Sequence, residues 1–445
     1  MLAKRESSGS GYRGAGLELL LKHGVEVGDN VKVATNDGEM SGVLMPRYES
    51  ASEDYIVIKL KSGYNTGIQV GRIKSITKLQ KSEPAATTAR APETTEDKGL
   101  PRIALISTGG TIASKIDYRT GGVHAALSAS ELYASVPELA NHASIDPEVL
   151  LSEYSENLRP DHWTMIADKV AEKVRSGRYR GVVVSHGTDT MHYTAAALSF
   201  ALQDLPIPVV LVGAQRSSDR PSSDAALNLL GATVFAAKSE YAGVFVAMHA
   251  STSDDAIACH IGTRVRKNHT SRRDAFESID VTPVALVRNN TIEMQKSEIK
   301  LAKRSEGSGS LATVKTKFDG KVALLKYHPG FDPSLIEHAA KAGYRAIILE
   351  GTGLGHVSKE CFPALRKVVD SGMMVCMTSQ CIWGRIRMTV YDTGRDLLDI
   401  GVVPLSDMIS ETATVKAMWA LANSKDPKKT MQENLANEIS SSIPI

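Results

Sequence analysis

The chain has 445 residues, of which 42% are hydrophobic and 23% are charged, and its formal net charge at pH 7 is +2. These values fit a soluble globular protein with a sizeable core, and they exclude a chain that is drawn to nucleic acid or membranes by its overall charge alone. No apolar run reaches the roughly 18 residues that a membrane span needs, and no signal-peptide segment opens the chain. We therefore expect a cytoplasmic protein with no membrane partner.

Residues 1–16 are rich in serine, glycine and basic side chains, which predicts a disordered start. Over residues 17–80, short runs of alternating apolar and polar residues are separated by turns such as Asn36-Asp37-Gly38. This pattern predicts a small all-β barrel of the SH3-like type. Such a barrel either binds nucleic acid or is a spacer or subunit-docking module. Its basic residues suit nucleic acid or an ordinary solvated face, and they are Lys59, Lys61, Arg72, Lys74 and Lys78. Residues 81–101 hold proline, alanine, threonine and charge with hardly any large apolar residue, which predicts a linker.

From residue 102 onward, strand and helix patterns alternate, which predicts an α/β domain with a doubly wound parallel sheet over residues 102–302. A polar break at 303–319 predicts a second linker, and residues 320–445 are expected to form a smaller α/β lobe. The predicted strands of the larger domain are Ile103–Ser107, Gly181–Ser185, Val209–Gly213 and Gly243–Met248, and its helices are Asp161–Arg175, Thr190–Leu202 and Ser223–Ala237. In the lobe we predict strands Val322–Tyr327, Ala346–Leu349, Met374–Thr378 and Gly401–Val403, then helices Ser410–Ser424 and one starting at Asp426-Pro427.

Two motifs, Ser107–Ala113 and His186–Thr190, each follow a predicted buried strand. They place glycines and small hydroxyl residues at the carboxyl ends of strands, where open α/β sheets build their sites. Thr111 follows a glycine pair, which on its own more often marks a tight turn. No Walker or dinucleotide-binding spacing follows it, and the single G-x-G within Glu350–His356 is weak as a nucleotide signal because its third glycine position is histidine.

Thr188 and Asp189 have two interpretations that are compatible with each other. They are suited to cap the helix that follows, and that helix terminus would also stabilise an anion forming nearby. Lys267 lies in the basic segment Arg264–Thr270, which offers no apolar core of its own. It is either a solvated surface charge or one half of a buried pair with Asp189 that lowers the proton affinity of Thr188. The four cysteines (Cys259, Cys361, Cys376 and Cys381) have no metal spacing, and we expect them to be small buried side chains with no metal bound.

The two motifs, in this order and followed by Lys267 and Phe276, resemble the bacterial-type L-asparaginase/glutaminase family over about residues 102–424. The resemblance implies that Thr111 is the nucleophile and that Tyr118, on a flap after it, helps to activate it, although the residues themselves leave open which of Thr111 and Thr188 attacks first. It also implies a triad of Thr188, Asp189 and Lys267. Ser155, Glu156 and Gly187 are expected beside the bound substrate, although the family often has glutamine where this chain has Glu156.

With the barrel and linker added, the chain resembles the D subunits of archaeal glutamyl-tRNA(Gln) amidotransferases. This resemblance implies an enzyme that releases ammonia from L-glutamine or L-asparagine, holds no cofactor itself and forms a homodimer within a heterotetramer. The partner implied is the E subunit of the amidotransferase, which would use ATP and Mg²⁺ and would make most of the contacts with Glu-tRNA(Gln). The alternatives are a free L-asparaginase with an incidental barrel, and a binding protein that senses an amino acid. The intact set of hydroxyl, acid and amine residues argues against the sensor.

Overall fold

The computed structural model describes residues 11–47, 52–60, 65–79, 99–109, 114–116, 123–125, 136–216, 223–297, 299–305, 311 and 313–440. The amino-terminal part is a five-stranded antiparallel sheet in the order β4-β3-β2-β1-β5. Val31, Leu44 and Ile56 are fully buried in its core, as the alternating pattern requires. The strands follow a helix, and the elements are α1 (Gly14–His23), β1 (Asn30–Thr35), β2 (Gly38–Leu44), β3 (Tyr55–Leu60), β4 (Asn65–Gln69) and β5 (Ile73–Lys78).

The prediction of disorder over residues 1–16 is wrong from residue 11 onward. Tyr12 is buried, and its hydroxyl donates to the Met45 carbonyl at 2.7 Å and accepts from the Val57 N–H at 3.0 Å. Helix α1 then begins at Gly14. The sequence pattern misses this region because its order comes from contacts with the strands rather than from local helix signals.

The larger α/β domain is built on a nine-stranded sheet whose main path is β18-β17-β14-β13-β12-β10-β6-β9. From β9 to β13 neighbouring strands are parallel, whereas β14, β17 and β18 extend the sheet in antiparallel fashion. The parallel part was predicted and the antiparallel extension was not. The strands are β6 (Arg102–Ser107), β9 (Ser144–Val149), β10 (Gly181–Ser185), β12 (Pro208–Val212), β13 (Tyr241–His249), β14 (Ile257–Ile261), β17 (Ala285–Arg288), β18 (Thr291–Met294) and β19 (Ala302–Lys303), which pairs with β13.

Helices cover both faces of this sheet, which makes it doubly wound as predicted. Helices α2 (Pro160–Arg175) and α3 (Met191–Ala201) share one apolar cluster with the sheet, and α4 (Ala225–Lys238) shares the cluster on the opposite face. Short strands pair outside the sheet: β7 (Ser114–Ile116) with β8 (Val123–Ala125), β11 (Leu202–Gln203) with β20 (Thr313–Val314), and β15 (Val265–Lys267) with β16 (Phe276–Ser278). Strand β20 thus falls inside the stretch expected to be a linker.

The smaller lobe has a four-stranded parallel sheet in the order β21-β22-β23-β24. It packs on the larger domain through a shared apolar cluster in which the Phe200 and Trp419 ring centroids are 6.1 Å apart. The lobe contains β21 (Val322–Lys326), α5 (Ser334–Lys341), β22 (Ala346–Gly351), α6 (Phe362–Asp370), β23 (Met374–Ser379), α7 (Asp392–Ile400), β24 (Val403–Pro404), α8 (Ser410–Asn423) and α9 (Pro427–Gln432).

Two smaller expectations have clear outcomes. The G-x-G stretch after β22 forms a tight turn, in which the Thr352 N–H donates to the His356 carbonyl at 2.8 Å. Of the four cysteines, three are buried as expected, but Cys381 is exposed because it lies in the loop after β23. Within the described ranges, no helix is long and apolar enough to cross a bilayer.

Candidate active site

The two motifs start side by side at the carboxyl edge of the large sheet. Strands β6 and β10 are parallel neighbours, and Ser107 is paired with Ser185 in their register. The next residue, Thr108, donates to the Ser185 carbonyl twice, from its backbone N–H at 3.0 Å and from its hydroxyl at 2.9 Å. The first motif is therefore held against the second from its beginning.

The first glycine of the first motif is required by a close approach of two chain segments. Gly109 has a φ of 122°, and a Cβ there would lie 2.1 Å from the Glu153 carbonyl oxygen. Only glycine fits such a position without strain. Thr111 and Tyr118 follow in the chain but lie outside the described residues, so their roles stay predictions.

The structure brings Thr188, Asp189 and Lys267 together. Lys267 Nζ donates to Thr188 Oγ1 at 2.9 Å and to Asp189 Oδ1 at 2.6 Å. The side chain of Lys267 is 8% exposed, whereas that of Asp189 is 67% exposed. In the pair of Lys267 and Asp189, the amine is therefore buried and the carboxylate is open to solvent.

The capping alternative for Thr188 and Asp189 does not match the geometry. Helix α3 starts at Met191, with Thr190 at the N-cap position and no side-chain cap hydrogen bond. The Thr190 hydroxyl donates instead to the Ser155 carbonyl at 2.7 Å. Thr188 and Asp189 therefore lie before the N-cap position, and both contact Lys267.

The predicted substrate loop lies directly against the second motif. Ser155 is buried in a 3-10 turn, Ser155–Asn157, and a Cβ on Gly187 would come within 2.8 Å of the Ser155 Cβ. A side chain at Gly187 would therefore push this turn away. Glu156 is exposed on the same turn. Ser155, Gly187 and Thr188 are thus adjacent, as a shared substrate site requires.

Lys267 reaches the site on the short hairpin of β15 and β16, where it is paired with Phe276. The expectation that the segment Arg264–Thr270 has no core to bury in is wrong at its start. Arg264 and Val265 are each 1% exposed. Arg264 is buried against the smaller lobe, where it donates to Asp407. Val265 is buried in the apolar cluster that α2 and α3 share with the large sheet.

His186, within the second motif, supports the site rather than titrating in it. Burial lowers the pKa of His186 to about 4, although its hydrogen bond to the Gly187 carbonyl opposes the shift. Because a carbonyl can only accept, Nδ1 carries the proton on that 2.6 Å contact, and Nε2 accepts from the Thr194 hydroxyl at 2.8 Å. The neutral ring fixes the Gly187 backbone.

Sequence reasoning missed Gly213 as a site residue. Gly213 directly follows strand β12. A Cβ there would lie 2.7 Å from Thr188 Cγ2 and 2.8 Å from the His186 carbonyl oxygen. The Gly213 carbonyl accepts from Asn228 Nδ2 at 2.9 Å, and Asn228 also binds the buried Asp224. The signal that was available is a glycine at a strand's carboxyl end, next to the strand that carries the second motif.

The basic residues of the amino-terminal sheet are partly neutralised. Arg72 forms an ion pair with Asp37, and Lys78 Nζ lies 2.6 Å from Asp29 Oδ2. Lys61 lies outside the described residues.

Over the described residues, no group of three or more His, Cys, Asp or Glu side chains is arranged to hold a metal ion.

Comparisons with known proteins cover nearly the whole chain. The family models "Asparaginase, N-terminal" and "Glutaminase/Asparaginase C-terminal domain" match residues 102–300 and 321–433, and "GatD N-terminal domain" matches residues 25–79. Two solved structures are similar. The thermostable L-asparaginase from Thermococcus kodakarensis has a TM-score of 0.66 and 32% identity, covering 77% of this chain and 100% of its own. The probable cytoplasmic L-asparaginase from Campylobacter jejuni has a TM-score of 0.61 and 29% identity, covering 75% and 98%.

Two curated relatives extend the similarity through the amino-terminal domain. The D subunit of the glutamyl-tRNA(Gln) amidotransferase of Pyrococcus furiosus is 48% identical over 430 residues, which are 95% of this chain and 97% of the relative. The protein of the same name from Thermofilum pendens is 46% identical over 440 residues, 97% of this chain and 96% of the relative. Since the match includes the added domain as well as the asparaginase-like part, the chain belongs to the family of glutamyl-tRNA(Gln) amidotransferase D subunits.

Proposed function

We propose that this chain is the ammonia-releasing component of a tRNA-dependent amidotransferase and acts on the side-chain amide of L-glutamine or L-asparagine. The observation that carries the proposal is the double contact of Lys267 Nζ with Thr188 Oγ1 and Asp189 Oδ1. Relatives named as D subunits, which align over nearly their full length, support the amidotransferase role over a free asparaginase.

The reaction follows from the hydroxyl and amine groups of the site. Thr111 Oγ attacks the carboxamide carbon, its proton passes to the leaving nitrogen, and ammonia departs as an ester forms on Thr111. Water then cleaves the ester, which restores the Thr111 hydroxyl and releases glutamate or aspartate. A threonine hydroxyl is a poor nucleophile at neutral pH, so proton transfer by Tyr118 and by the Thr188–Lys267–Asp189 group is needed.

Lys267 has a specific part in this proton transfer. Its ammonium donates to the Thr188 oxygen, and a positive charge at 2.9 Å lowers the proton affinity of that oxygen. Asp189 balances the charge of the buried amine from the solvent side. Thr188 is therefore able to pass on its proton while Lys267 Nζ keeps its hydrogen bonds to Thr188 and Asp189.

Substrate selection rests on the groups around the second motif. The α-carboxylate is held by Ser155 next to Gly187, and the α-ammonium by the carboxylates of Glu156 and Asp189. A peptide has neither free group at an internal residue, so binding it would leave these polar groups unpaired. The substrate is accordingly a free amino acid amide.

The ammonia is delivered to a partner, the E subunit of the amidotransferase, which uses ATP and Mg²⁺ to activate the glutamyl group of Glu-tRNA(Gln) and makes most of the tRNA contacts. This chain binds no cofactor of its own, and it forms a homodimer within a heterotetramer in the cytoplasm of an archaeal cell. The names of the relatives, which are D subunits of glutamyl-tRNA(Gln) amidotransferases, support membership of such a complex.

The test is ammonia release from glutamine by the full-length chain, purified with its partner. Thr111→Ala and Thr188→Ala are each expected to lower kcat by at least about 100-fold, since each removes a group that moves a proton or forms the ester. Thr282→Ala is the matched control, because Thr282 is exposed and donates only to the Lys296 carbonyl. Near-native turnover in either site variant would contradict the proposal.

The similarity of the fold to L-asparaginases keeps a free L-asparaginase as the second candidate. The two functions differ in their response to the partner. For the amidotransferase we expect ammonia release to rise when the partner, ATP and Glu-tRNA(Gln) are added together. Turnover that does not respond to these additions would favour the free enzyme.

A further inference from the structure

The segment that leads into Lys267 is anchored by residues from the far end of the chain. Arg264 is 1% exposed, and its guanidinium donates four hydrogen bonds to that region. Nη1 binds the Asp407 carbonyl at 3.1 Å, and Nη2 binds Asp407 Oδ2 at 3.1 Å and Ser440 Oγ at 2.9 Å. Nε donates to the Asn437 carbonyl at 3.0 Å. A buried arginine with this many partners fixes both the position and the orientation of its own backbone.

The residues on both sides of Arg264 are tied to the same region. The Thr263 hydroxyl donates to the Ala436 carbonyl at 2.8 Å, and the Thr263 carbonyl accepts from the Thr412 hydroxyl at 2.9 Å. Arg266 Nε donates to Glu411 Oε1 at 2.7 Å. Three of the four residues that precede Lys267 are therefore held by side chains or carbonyls of the smaller lobe and of the chain that follows it.

The anchoring chain is itself held firmly. We call residues Leu435–Ser440 the carboxyl-terminal strap. Within it, Glu438 accepts from the N–H groups of Leu435 and Ala436, and it forms an ion pair with Lys416 at 2.6 Å. Both side chains of this ion pair are 0% exposed. The strap is thus attached to helix α8 rather than lying loosely on the surface.

The hairpin that carries Lys267 cannot hold its position alone. It consists of two three-residue strands with three residue pairs between them, and isolated hairpins are at best marginally stable in water. Lys267 must nevertheless place Nζ within hydrogen-bond distance of two different side chains. Support from outside the hairpin is required for that geometry. Val265, Ala275 and Phe276 pack in the apolar cluster of the larger domain, and the polar anchors come from the smaller lobe and the strap.

We propose that the carboxyl-terminal strap positions Lys267, with Arg264 as the positioning residue through which it acts. Among the described residues, Arg264 has no hydrogen bond to Thr188, Asp189 or Lys267, and it acts on them through the backbone of β15. The inference rests on the proposed function, because it gives Lys267 a part in ammonia release. It adds to that function a dependence of the site on the last described residues of the chain.

The first test compares two arginine substitutions in the full-length chain. Arg264→Lys keeps the charge but loses the guanidinium fork. Arg304→Lys is the matched control, because Arg304 also donates to two backbone carbonyls, those of Ala236 and Ala237. We expect Arg264→Lys to lower kcat for ammonia release by about 10- to 100-fold, the size of effect that a shift of about 1 Å in a catalytic group produces. KM is expected to change less than threefold, and Arg304→Lys to stay within twofold of the wild type in both.

A crystal structure of the Arg264→Lys variant provides a second measurement. The expected result is a Lys267 Nζ that lies more than about 3.5 Å from Thr188 Oγ1, beyond hydrogen-bond distance. An unchanged contact would overturn the proposal. So would a kcat within twofold of the wild type, a loss confined to KM, or an equal loss in Arg304→Lys.

If Arg264→Lys does not fold, Ser440→Ala takes its place, since it removes one hydrogen bond to Arg264 and nothing from the active site. A two- to tenfold drop in kcat is then expected, and no change would overturn the inference. The Thr188→Ala variant separates this inference from the proposed function. If Thr188→Ala retains turnover, the proposed function fails. If Thr188→Ala is inactive while Arg264→Lys, or Ser440→Ala in its place, has normal activity, only the strap inference fails.

Discussion

At the scale of single residues, the site depends on glycines that allow chain segments to approach one another. Gly109, Gly187 and Gly213 each lie where a Cβ would come within 3 Å of a neighbouring atom. Gly109 and Gly187 could be predicted as site residues because they belong to recognisable motifs. Gly213 carries only the weak signal of a glycine at a strand's carboxyl end, since its partner Thr188 lies in another strand–loop unit and the contact exists only after the strands pair.

We predict that Gly213→Ala disables the site without a large loss of stability. Its Cβ would overlap Thr188 Cγ2 at 2.7 Å, and overpacking of this kind typically costs about 1–3 kcal/mol. Displacing Thr188 is expected to lower kcat for ammonia release by about 10- to 100-fold. The matched control is Gly71→Ala, because nothing lies within 4 Å of a Cβ at Gly71. Activity of Gly213→Ala within twofold of the wild type would show that Thr188 tolerates the shift.

At the scale of elements, local patterns predicted the parallel strands well and long-range anchoring poorly. Strand β10 is an uninterrupted buried run, and its pattern needs no partner to be recognised. The antiparallel strands β17 and β18 are four residues each, and β17 is half buried while β18 is mostly exposed, so they carry little signal. The burial of Arg264 was missed because its partners lie 143 to 176 residues further along the chain.

The attachment of the carboxyl-terminal strap to helix α8 gives a prediction at this scale. Lys416→Met leaves the Glu438 carboxylate buried without its counter-charge, and breaking such a pair typically costs about 3–5 kcal/mol. We expect a clear drop in the unfolding midpoint measured by calorimetry. The double variant Lys416→Met with Glu438→Gln is expected to be more stable than the single variant, because no buried charge remains. If the double variant is the less stable of the two, the charge is not the cause.

At the scale of the whole molecule, buried histidines make stability depend on pH. Burial lowers the pKa of His186, His192 and His260 each to about 4, whereas the unfolded value is about 6.5. Between these values the unfolded chain binds more protons than the folded one. The stability is therefore complete above about pH 6.5 and is lost as the pH falls toward 4, by about 1.4 kcal/mol per pH unit for each histidine.

The matching measurement is the unfolding midpoint of the wild type and of His260→Gln from pH 7 to pH 4. His260 is chosen for this substitution because its ring contacts Ser278 Oγ at 2.8 Å and is not one of the proposed site residues. We expect the midpoint of the wild type to fall more steeply than that of His260→Gln. Parallel curves would mean that His260 titrates alike in the folded and unfolded chain.

The contact between Arg264 and Asn437 joins residues 173 positions apart. A ribosome adds about 5–20 residues per second. After Lys267 has been synthesised, roughly 10 to 30 s therefore pass before the strap residues that contact Arg264 are made. The two acceptors on Asp407 are made first during that interval, and those on Asn437 and Ser440 come last. If the strap positions Lys267 as proposed, the geometry around Lys267 is complete only after synthesis has passed residue 440.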